Sequence, residues 1–258
     1  IIFKGIYINN DFILNIKKFS PNTKIINIFP DDPFDVDYFK DISNKNVLKS
    51  INSFDNIFIY SKKILKKLKK KFNKQMFHYL PFGNDNYIHK KINNYLPTFD
   101  LSFVGTADHQ RYDVLTKLKE FKIILAGNGW EKFKIPKNVK FIKDVGPKDY
   151  AKTICKSKIS LNILRAQNKF SHNMKTFEIP SMGGLMITER TKEQQLFFPE
   201  NKACLMYGNL SELKKKIKSS LKNIKKFNEI KNNGFKLSKN YTYKKRAIFI
   251  LKKVFQND

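Results

Sequence analysis

Residues 158–190 read KISLNILRAQNKFSHNMKTFEIPSMGGLMITER, and this pattern predicts a strand, a polar loop, a helix and a second strand. The apolar runs 159–163 and 185–188 are typical of buried strands. The Gly183-Gly184 pair marks the end of a helix that carries Lys175 and Glu178. Because a helix that follows a parallel strand presents unpaired N–H groups and the positive end of its dipole, it can hold an anion. The stretch therefore predicts a diphosphate site with a glutamate close enough to meet sugar hydroxyls.

The rest of the chain repeats this alternation of apolar strands and amphipathic helices. Strands are predicted at 1–4, 24–29, 56–60, 76–80, 101–104, 122–126, 139–142 and 203–207, and helices at 11–19, 61–72, 109–120, 147–156, 211–227 and 243–255. Ser211 is the predicted N-cap of the helix 211–227. Such an alternation favours parallel sheets with helices on both faces, so the fold class is α/β.

A polar segment without a core-forming period divides the chain. We predict an N-terminal Rossmann-like domain at 1–85, a linker at 86–98, a second Rossmann-like domain at 99–240 and a C-terminal helix at 241–258.

The chain is strongly basic, with a net charge of +29 and a pI near 9.9. Only four of its 51 basic residues are arginine, whereas phosphate-clamping and base-reading surfaces favour arginine. The abundance of Lys, Asn, Ile and Phe, which all have AT-rich codons, indicates a compositional bias. The segment 61–74, SKKILKKLKKKFNK, predicts a basic amphipathic helix, for which contact with an anionic membrane and a simply solvated lysine face both remain open.

Cysteine and histidine spacing bears on compartment and metal binding. Cys155 and Cys204 are solitary, which favours a reducing, cytoplasmic compartment, and no apolar run approaches the roughly 20 residues that span a bilayer. We expect no signal peptide, since Lys4 follows the short apolar start at once. The four histidines have no metal-ligand spacing, so no metal site is predicted.

Residues 173–198, NMKTFEIPSMGGLMITERTKEQQLFF, resemble the C-terminal domain of group 1 glycosyltransferases, most closely the spore-maturation CgeB-like branch. Shorter resemblances lie at 31–34, 79–83, 103–105, 125–130, 161–162 and 241–246. The resemblance implies the GT-B arrangement of two Rossmann-like domains, in which the first domain serves the acceptor, the second binds the nucleotide-sugar substrate, and the last helix packs back on the first domain. It implies neither a cofactor nor an essential metal. Family members carry a further portion before the equivalent of Ile1, so the first domain is expected to be incomplete.

Two positions depart from the family pattern. Phe170 stands where wider group 1 enzymes have the first of two glutamates, an absence that the CgeB-like branch shares. Lys175 stands where the family usually has arginine, so the charge is kept but the bidentate fork is lost.

The resemblance and the strand ends together give a candidate donor site. Its residues are Gly105, Thr106, Arg111, Gly127, Asn128, Gly129, Trp130, Asn162, Arg165, His172, Asn173, Lys175, Thr176, Phe177, Glu178, Gly183 and Gly184. Glu178 would accept hydrogen bonds from the ribose, and Arg165 with Lys175 would neutralise the departing diphosphate. The alternatives are that Arg111 and Arg165 are surface charges, that Trp130 and His172 are structural, and that Glu178 pairs with Lys175.

Asp31 and Asp32 follow the predicted strand 24–29, at the edge of the sheet where open α/β proteins bind ligands. They are the candidate catalytic residues. The alternative is a turn that one of them caps, because aspartate before proline commonly opens a turn.

The resemblance therefore implies a glycosyltransferase that moves a sugar from a nucleotide-sugar donor to a glycan, lipid-linked or protein acceptor, in cell-surface glycan synthesis. We expect a cytoplasmic protein, with peripheral contact to the inner face of an anionic membrane left open. A non-catalytic nucleotide-sugar or glycan binding protein is the alternative. A basic nucleic-acid-binding protein is a weaker one, because no arginine-rich or aromatic groove motif is present and no specific nucleic acid is expected.

Overall fold

The computed structural model describes residues 1–34, 44–72, 76–93, 95–143 and 145–255. The chain divides into two compact units. The first holds Ile1–Pro81 and Arg246–Asp258, and the second holds Phe82–Lys245.

In the described part of the first unit, four parallel strands form a sheet in the order β1-β2-β3-β4. Its elements are β1 (Ile2–Phe3), α1 (Asn10–Phe19), β2 (Ile26–Phe29), α2 (Lys45–Ser50), β3 (Asn56–Ile59), α3 (Lys62–Phe72) and β4 (Phe77–Tyr79). Strands β2 and β3 are almost wholly apolar and buried, as parallel strands covered on both faces must be. The buried exception is Asn27, whose amide donates to the carbonyls of Ile2 and Lys4 at 3.3 Å and ties β1 to β2.

In the second unit, six parallel strands form a sheet in the order β10-β9-β8-β5-β6-β7 across the described residues. Its elements are β5 (Phe99–Val104), α4 (His109–Thr116), β6 (Ile123–Ala126), β7 (Val139–Ile142), α5 (Pro147–Cys155), β8 (Ser157–Asn162), α6 (Lys175–Ser181), β9 (Met186–Glu189), α7 (Lys192–Phe197), β10 (Leu205–Tyr207), α8 (Leu210–Lys222) and α9 (Ile224–Ser238). Counted along the chain from β5, this is the 3-2-1-4-5-6 order of dinucleotide-binding sheets. The strand order reverses between β5 and β8, and ligands of such sheets bind at the carboxyl ends of the strands near that point.

The last helix, α10 (Tyr243–Phe255), supplies core residues to the first unit. Ile250 and Val254 are buried in a cluster with Ile26, Phe58 and Leu80. None of the helices in the described ranges has the length and apolar character needed to cross a bilayer.

The predicted helix 211–227 is wrong in its bounds. Two helices, α8 and α9, meet at Asn223, whose backbone leaves helical geometry (φ −131°) and whose side chain accepts from the N–H of Lys226. The N-cap of α8 is Asn209, not Ser211, because the Asn209 carboxamide oxygen accepts from the N–H of Glu212 at 2.9 Å. Helices α2 and α7 lie outside every predicted helix.

Candidate functional site

A cavity of about 320 Å³ opens at the carboxyl ends of β5, β6 and β7. Gly105 and Thr106 of the loop after β5 form one wall, and Gly127 and Asn128 of the loop after β6 form the next. Lys175, the first residue of α6, also lines it. Five predicted site residues thus come together at the edge of the sheet where the strand order selects a ligand site.

Glycine is required at 127 because two loops approach closely there. Gly127 has φ +128°, and a Cβ at this position would lie 2.4 Å from the carbonyl oxygen of Gly105. The N–H of Gly105 donates to the carbonyl of Ala126 at 2.8 Å, which keeps the loops together. The wall is therefore backbone, and it lets a ligand approach main-chain groups without an intervening side chain.

Trp130 supports this wall from beneath. Its side chain is fully buried, and its indole N–H donates to the carbonyl of Gly105 at 2.7 Å. The ring packs edge-on against Phe103 with centroids 6.0 Å apart, and Gly129 before it adopts φ +84°. These contacts give Trp130 the packing role that the sequence left open.

Arg111 joins the loops after β5 and β8. The buried guanidinium donates to the carbonyl of Ile163 at 2.9 and 3.1 Å and to the carbonyl of Thr106 at 2.9 Å. It also lies 3.4 Å from Asp108 Oδ2. Its donors are thus directed at protein groups, and its charge contributes to the field around the cavity.

Lys175 is the cation of the cavity. Burial lowers the pKa of its ammonium group, the carboxylate of Glu178 acts against that shift, and the charges of Arg111 and Arg165 add to it. Its Nζ atom lies 5.9 Å from the centre of the Tyr150 ring. An anion in the cavity would therefore meet a partly desolvated cation with further positive charge behind it.

A buried polar network anchors the start of α6. The carboxamides of Asn162 and Asn173 exchange hydrogen bonds at 2.9 and 3.1 Å. The hydroxyls of Thr176 and Thr188 both donate to Gln194 Oε1, at 2.8 and 2.9 Å. The network ties the end of β8 to α6, β9 and α7, so these predicted site residues position the cavity wall.

His172 is fully buried with both ring nitrogens engaged. The N–H of Phe82 donates to Nε2 at 3.2 Å, so the proton is on Nδ1, which donates to Glu193 Oε2 at 3.0 Å. The hydroxyl of Ser171 donates to the same carboxylate oxygen at 2.8 Å. His172 thus serves the local structure, and sequence reasoning missed its partner, Glu193.

Glu178 is buried and contacted by two residues that sequence reasoning also missed. The hydroxyl of Tyr150, on α5, donates to Glu178 Oε2 at 3.0 Å. His89 Nε2 lies 3.7 Å from Oε1, while His89 Nδ1 accepts from the N–H of Asp85 at 2.9 Å and so leaves the proton on Nε2. Burial and the carboxylate raise the pKa of Tyr150 well above its usual value, which keeps the hydroxyl a donor.

The hydrogen-bond partner of Glu178 is Tyr150, and Lys175 contributes through its charge. Arg165 is half-buried, with Nε 4.0 Å from Asp108 Oδ2.

The remaining predicted residues of this group serve packing. Phe177 lies in an aromatic cluster with His172, Phe197 and Tyr241. Gly183, with φ +73°, ends α6, and a Cβ on Gly184 would lie 2.8 Å from side-chain atoms of Ile154 and Ile179. The Gly-Gly pair therefore ends α6 and allows close packing.

Asp31 and Asp32 lie in the first unit, after β2. Asp31 Oδ2 is 2.8 Å from the ammonium of Lys4, and Asp32 Oδ1 accepts from the N–H of Phe34 at 2.9 Å. The second contact is an Asx-type turn. Among the described residues, no three His, Cys, Asp or Glu side chains form a group that could hold a metal ion.

A family model described as glycosyl transferase-like matches residues 110–252, more than half of the chain. No curated protein sequence matches the chain.

Solved structures give likenesses of fold at low sequence identity. Sucrose-phosphate synthase from Thermosynechococcus elongatus superimposes with a TM-score of 0.70 and 8% identity, over 97% of this chain and 73% of that one. HepE from Anabaena, in complex with UDP-glucose, gives 0.67 and 12%, over 95% and 76%. A TarM variant from S. aureus, in a complex that includes UDP, gives 0.66 and 14%, over 92% and 52%.

The family match covers the helices and strands that build the cavity from α4 onward, and the structural likenesses extend to both parallel-sheet units. The chain thus belongs to the glycosyl transferase-like family, a group of glycosyltransferases, and has the GT-B fold.

Proposed function

We propose that the chain transfers a sugar from a nucleoside-diphosphate sugar and that the cavity of the second unit holds the diphosphate. The observation that carries this proposal is the meeting of two glycine-walled loops with Lys175 at the carboxyl edge of the sheet. Backbone walls suit close contact with phosphate oxygens, and an ammonium group supplies the opposite charge. HepE, with a similar fold, was solved with UDP-glucose, which supports a UDP-sugar as the first donor to test.

The charges around the cavity suit a leaving diphosphate. Burial is unfavourable for the ammonium group of Lys175, the carboxylate of Glu178 offsets this cost only in part, and Arg111 and Arg165 raise the local positive potential further. A bound diphosphate relieves that cost. As the glycosidic bond breaks, negative charge grows on the diphosphate, so the same cations stabilise the transition state more than the bound donor. The proposed reaction therefore uses protein cations and no essential metal, and full turnover in excess chelator is expected.

Glu178 is proposed to accept hydrogen bonds from the ribose hydroxyls. Each carboxylate oxygen has two lone pairs, and Tyr150 occupies one of those on Oε2. Tyr150 and His89 would then hold the carboxylate in one orientation for the ribose. The stated alternative for Glu178, a simple pair with Lys175, would leave nucleotide affinity unchanged when the carboxylate is removed.

Asp31 or Asp32 is proposed to serve the acceptor. In this role one carboxylate takes the proton of the attacking hydroxyl, or the pair orients sugar hydroxyls. Asp32 Oδ1 accepts from the N–H of Phe34, and a carboxylate has lone pairs for more than one donor, so this contact is compatible with binding a hydroxyl.

The CgeB-like branch, a role in cell-surface glycan synthesis and a cytoplasmic location belong to this proposal. So does peripheral attachment to an anionic membrane through α3, which has lysine at seven of its eleven positions and no acidic residue. Vesicles of neutral lipid and vesicles with added phosphatidylserine distinguish attachment from a solvated lysine face. Only the anionic vesicles should retain the protein, and less so at high salt.

The donor site is tested by calorimetry with UDP, UMP and uridine. Replacing Lys175 by Met should weaken UDP by about tenfold or more, the worth of one charge-assisted hydrogen bond, and should leave uridine unchanged. Lys169→Met is the matched control, because Lys169 is exposed and outside the cavity. Equal UDP affinity in both variants would show that the diphosphate does not bind in this cavity.

Activity is tested separately, with a panel of UDP-sugars, with and without glycan acceptors. Transfer or slow donor hydrolysis supports the enzyme. Donor binding without turnover under all conditions would favour the second candidate, a non-catalytic nucleotide-sugar binding protein. Phe170 supports this candidate, because it stands where wider group 1 enzymes have a glutamate.

A further inference from the structure

A second cavity, of about 230 Å³, lies in the second unit away from the donor cavity. Six of its lining residues are Ile159, Leu185, Ser220, Phe227, Asn228 and Lys231. It also includes Ser157, the first residue of β8, whereas Asn162, at the other end of the strand, belongs to the network behind the donor cavity. Five steps along a strand, at about 3.3 Å each, separate the two ends by roughly 16 Å.

One side of this second cavity is apolar. Ile159 and Leu185 are buried core residues on the sheet side, and Phe227 is a buried residue of α9. Asn228 is exposed and supplies an amide group next to Phe227. The cavity is smaller than the roughly 300–1,000 Å³ of drug-sized sites, so it suits a small molecule with an apolar body.

Lys231 supplies the charge of the second cavity. It is half-buried, and within the described ranges no carboxylate lies within ion-pair distance of its ammonium group. Burial lowers its pKa, and the charge of Lys91 adds to the shift while Cys155 opposes it. Lys158, which also lines the cavity, differs because its ammonium group is 3.1 Å from Asp100 Oδ1.

The second cavity therefore offers the ammonium group of Lys231 to an anion and its apolar wall to an apolar group of the same ligand. A partly desolvated ammonium without a counterion costs free energy that a bound anion would recover. We propose that this second cavity binds a small organic anion, with its carboxylate or phosphate on Lys231 and its apolar body against Phe227, Ile159 and Leu185. This site is independent of the donor site and of the proposed transfer reaction.

The test is calorimetry on the whole chain with four probes. Benzoate and phenyl phosphate have both a charge and an apolar body, benzyl alcohol lacks the charge, and inorganic phosphate lacks the apolar body. We expect each organic anion to bind at one site and to bind at least about tenfold more tightly than either partial probe. The stronger of the two organic anions identifies the head group that the site prefers.

Variants locate the site. Lys231→Met keeps the apolar stem and should weaken benzoate binding by about tenfold or more. Lys226 is an exposed lysine of the same helix, so Lys226→Met should leave benzoate binding unchanged. Lys175→Met, in the donor cavity, should also leave benzoate binding unchanged. Ser220→Leu fills the cavity with the ammonium group intact and should abolish binding.

The proposal is overturned if neither organic anion binds up to about 10 mM, or if inorganic phosphate binds as tightly as benzoate. It is also overturned if Lys231→Met and Lys226→Met affect benzoate equally, since the lysines of this chain would then act only as diffuse surface charge. If Ser220→Leu fails to fold, the pair of lysine variants decides.

Discussion

Replacing Gly127 by alanine should damage the donor cavity through the backbone. The residue has φ +128°, a conformation that L side chains rarely adopt, and the new Cβ would lie 2.4 Å from the carbonyl oxygen of Gly105. Backbone strain of this kind costs about 1–3 kcal/mol. The neighbouring atom is backbone, so relief of the contact must move one of the two loops that form the wall.

The strain should change two measured quantities, the melting temperature and the affinity for UDP. At roughly 2–4 °C for each kcal/mol in a domain of this size, the melting temperature should fall by about 2–12 °C. Movement of the wall should weaken UDP binding by about tenfold or more, since a loss of about 1.4 kcal/mol of binding free energy corresponds to that factor. Calorimetric melting and UDP titration measure the two effects on the same preparation.

Gly146→Ala is the matched control. Gly146 lines the same cavity and precedes α5, but nothing lies within 4 Å of a Cβ placed there, and its φ is −62°. The stability of the Gly146→Ala variant should change by about 1 kcal/mol or less, with a correspondingly small change in its melting temperature. Unchanged stability and unchanged UDP affinity in Gly127→Ala would refute the claim that close approach of the loops shapes the cavity.

Three further predictions concern single groups. Tyr150→Phe should weaken UDP by about threefold to tenfold and affect 2′-deoxy-UDP less, because it frees the Glu178 carboxylate to move; an equal loss for both nucleotides would contradict ribose binding by Glu178. Asp31→Asn and Asp32→Asn keep side-chain size, so the variant that removes the catalytic base should turn over about a hundredfold more slowly with UDP affinity intact. Full activity in both variants would mean that the two residues only form the turn. Glu212→Gln should destabilise the chain by about 1 kcal/mol or less at neutral pH, since this partly exposed carboxylate is bound by a guanidinium group.

The sign of the Glu212 effect follows from its pKa, which the side chain of Arg190 lowers from 4.5 to about 2. A carboxyl group with a lowered pKa in the folded state stabilises the protein above its unfolded pKa. The stability difference between the native chain and Glu212→Gln, measured by urea unfolding, should therefore be full above about pH 5 and should vanish as the pH falls from 4.5 towards 2. A difference that grows with acidity would contradict this assignment.

Local patterns predicted most of the elements because each is encoded by neighbouring residues. The strands and helices around 158–190 were predicted from apolar runs and from the Gly183-Gly184 stop, and the structure has β8, α6 and β9 there. The boundary between α8 and α9 was missed because the apolar period continues through Asn223. The cap at Asn223 breaks the helix without interrupting that period.

The candidate site shows a similar division. Gly105, Gly127 and Lys175 could be placed at strand and helix ends from sequence, and the structure brings them to one cavity. Arg111 and Trp130 were also singled out, but their contacts with main-chain carbonyls required the fold. The sequence contains no signal that distinguishes a buried guanidinium that braces two loops from one that faces a ligand.

The sequence by itself determined the alternation of strands and helices, the α/β class and the resemblance of 173–198 to group 1 glycosyltransferases. Only the tertiary structure decided the strand order with its reversal between β5 and β8, and the partners of Glu178. Along the chain, Tyr150 is 28 residues and His89 is 89 residues from Glu178. Neither residue shares a helix or a strand with Glu178, so no local period relates them. Such contacts depend on how parallel strands and their crossover helices pack, which is a property of the whole sheet.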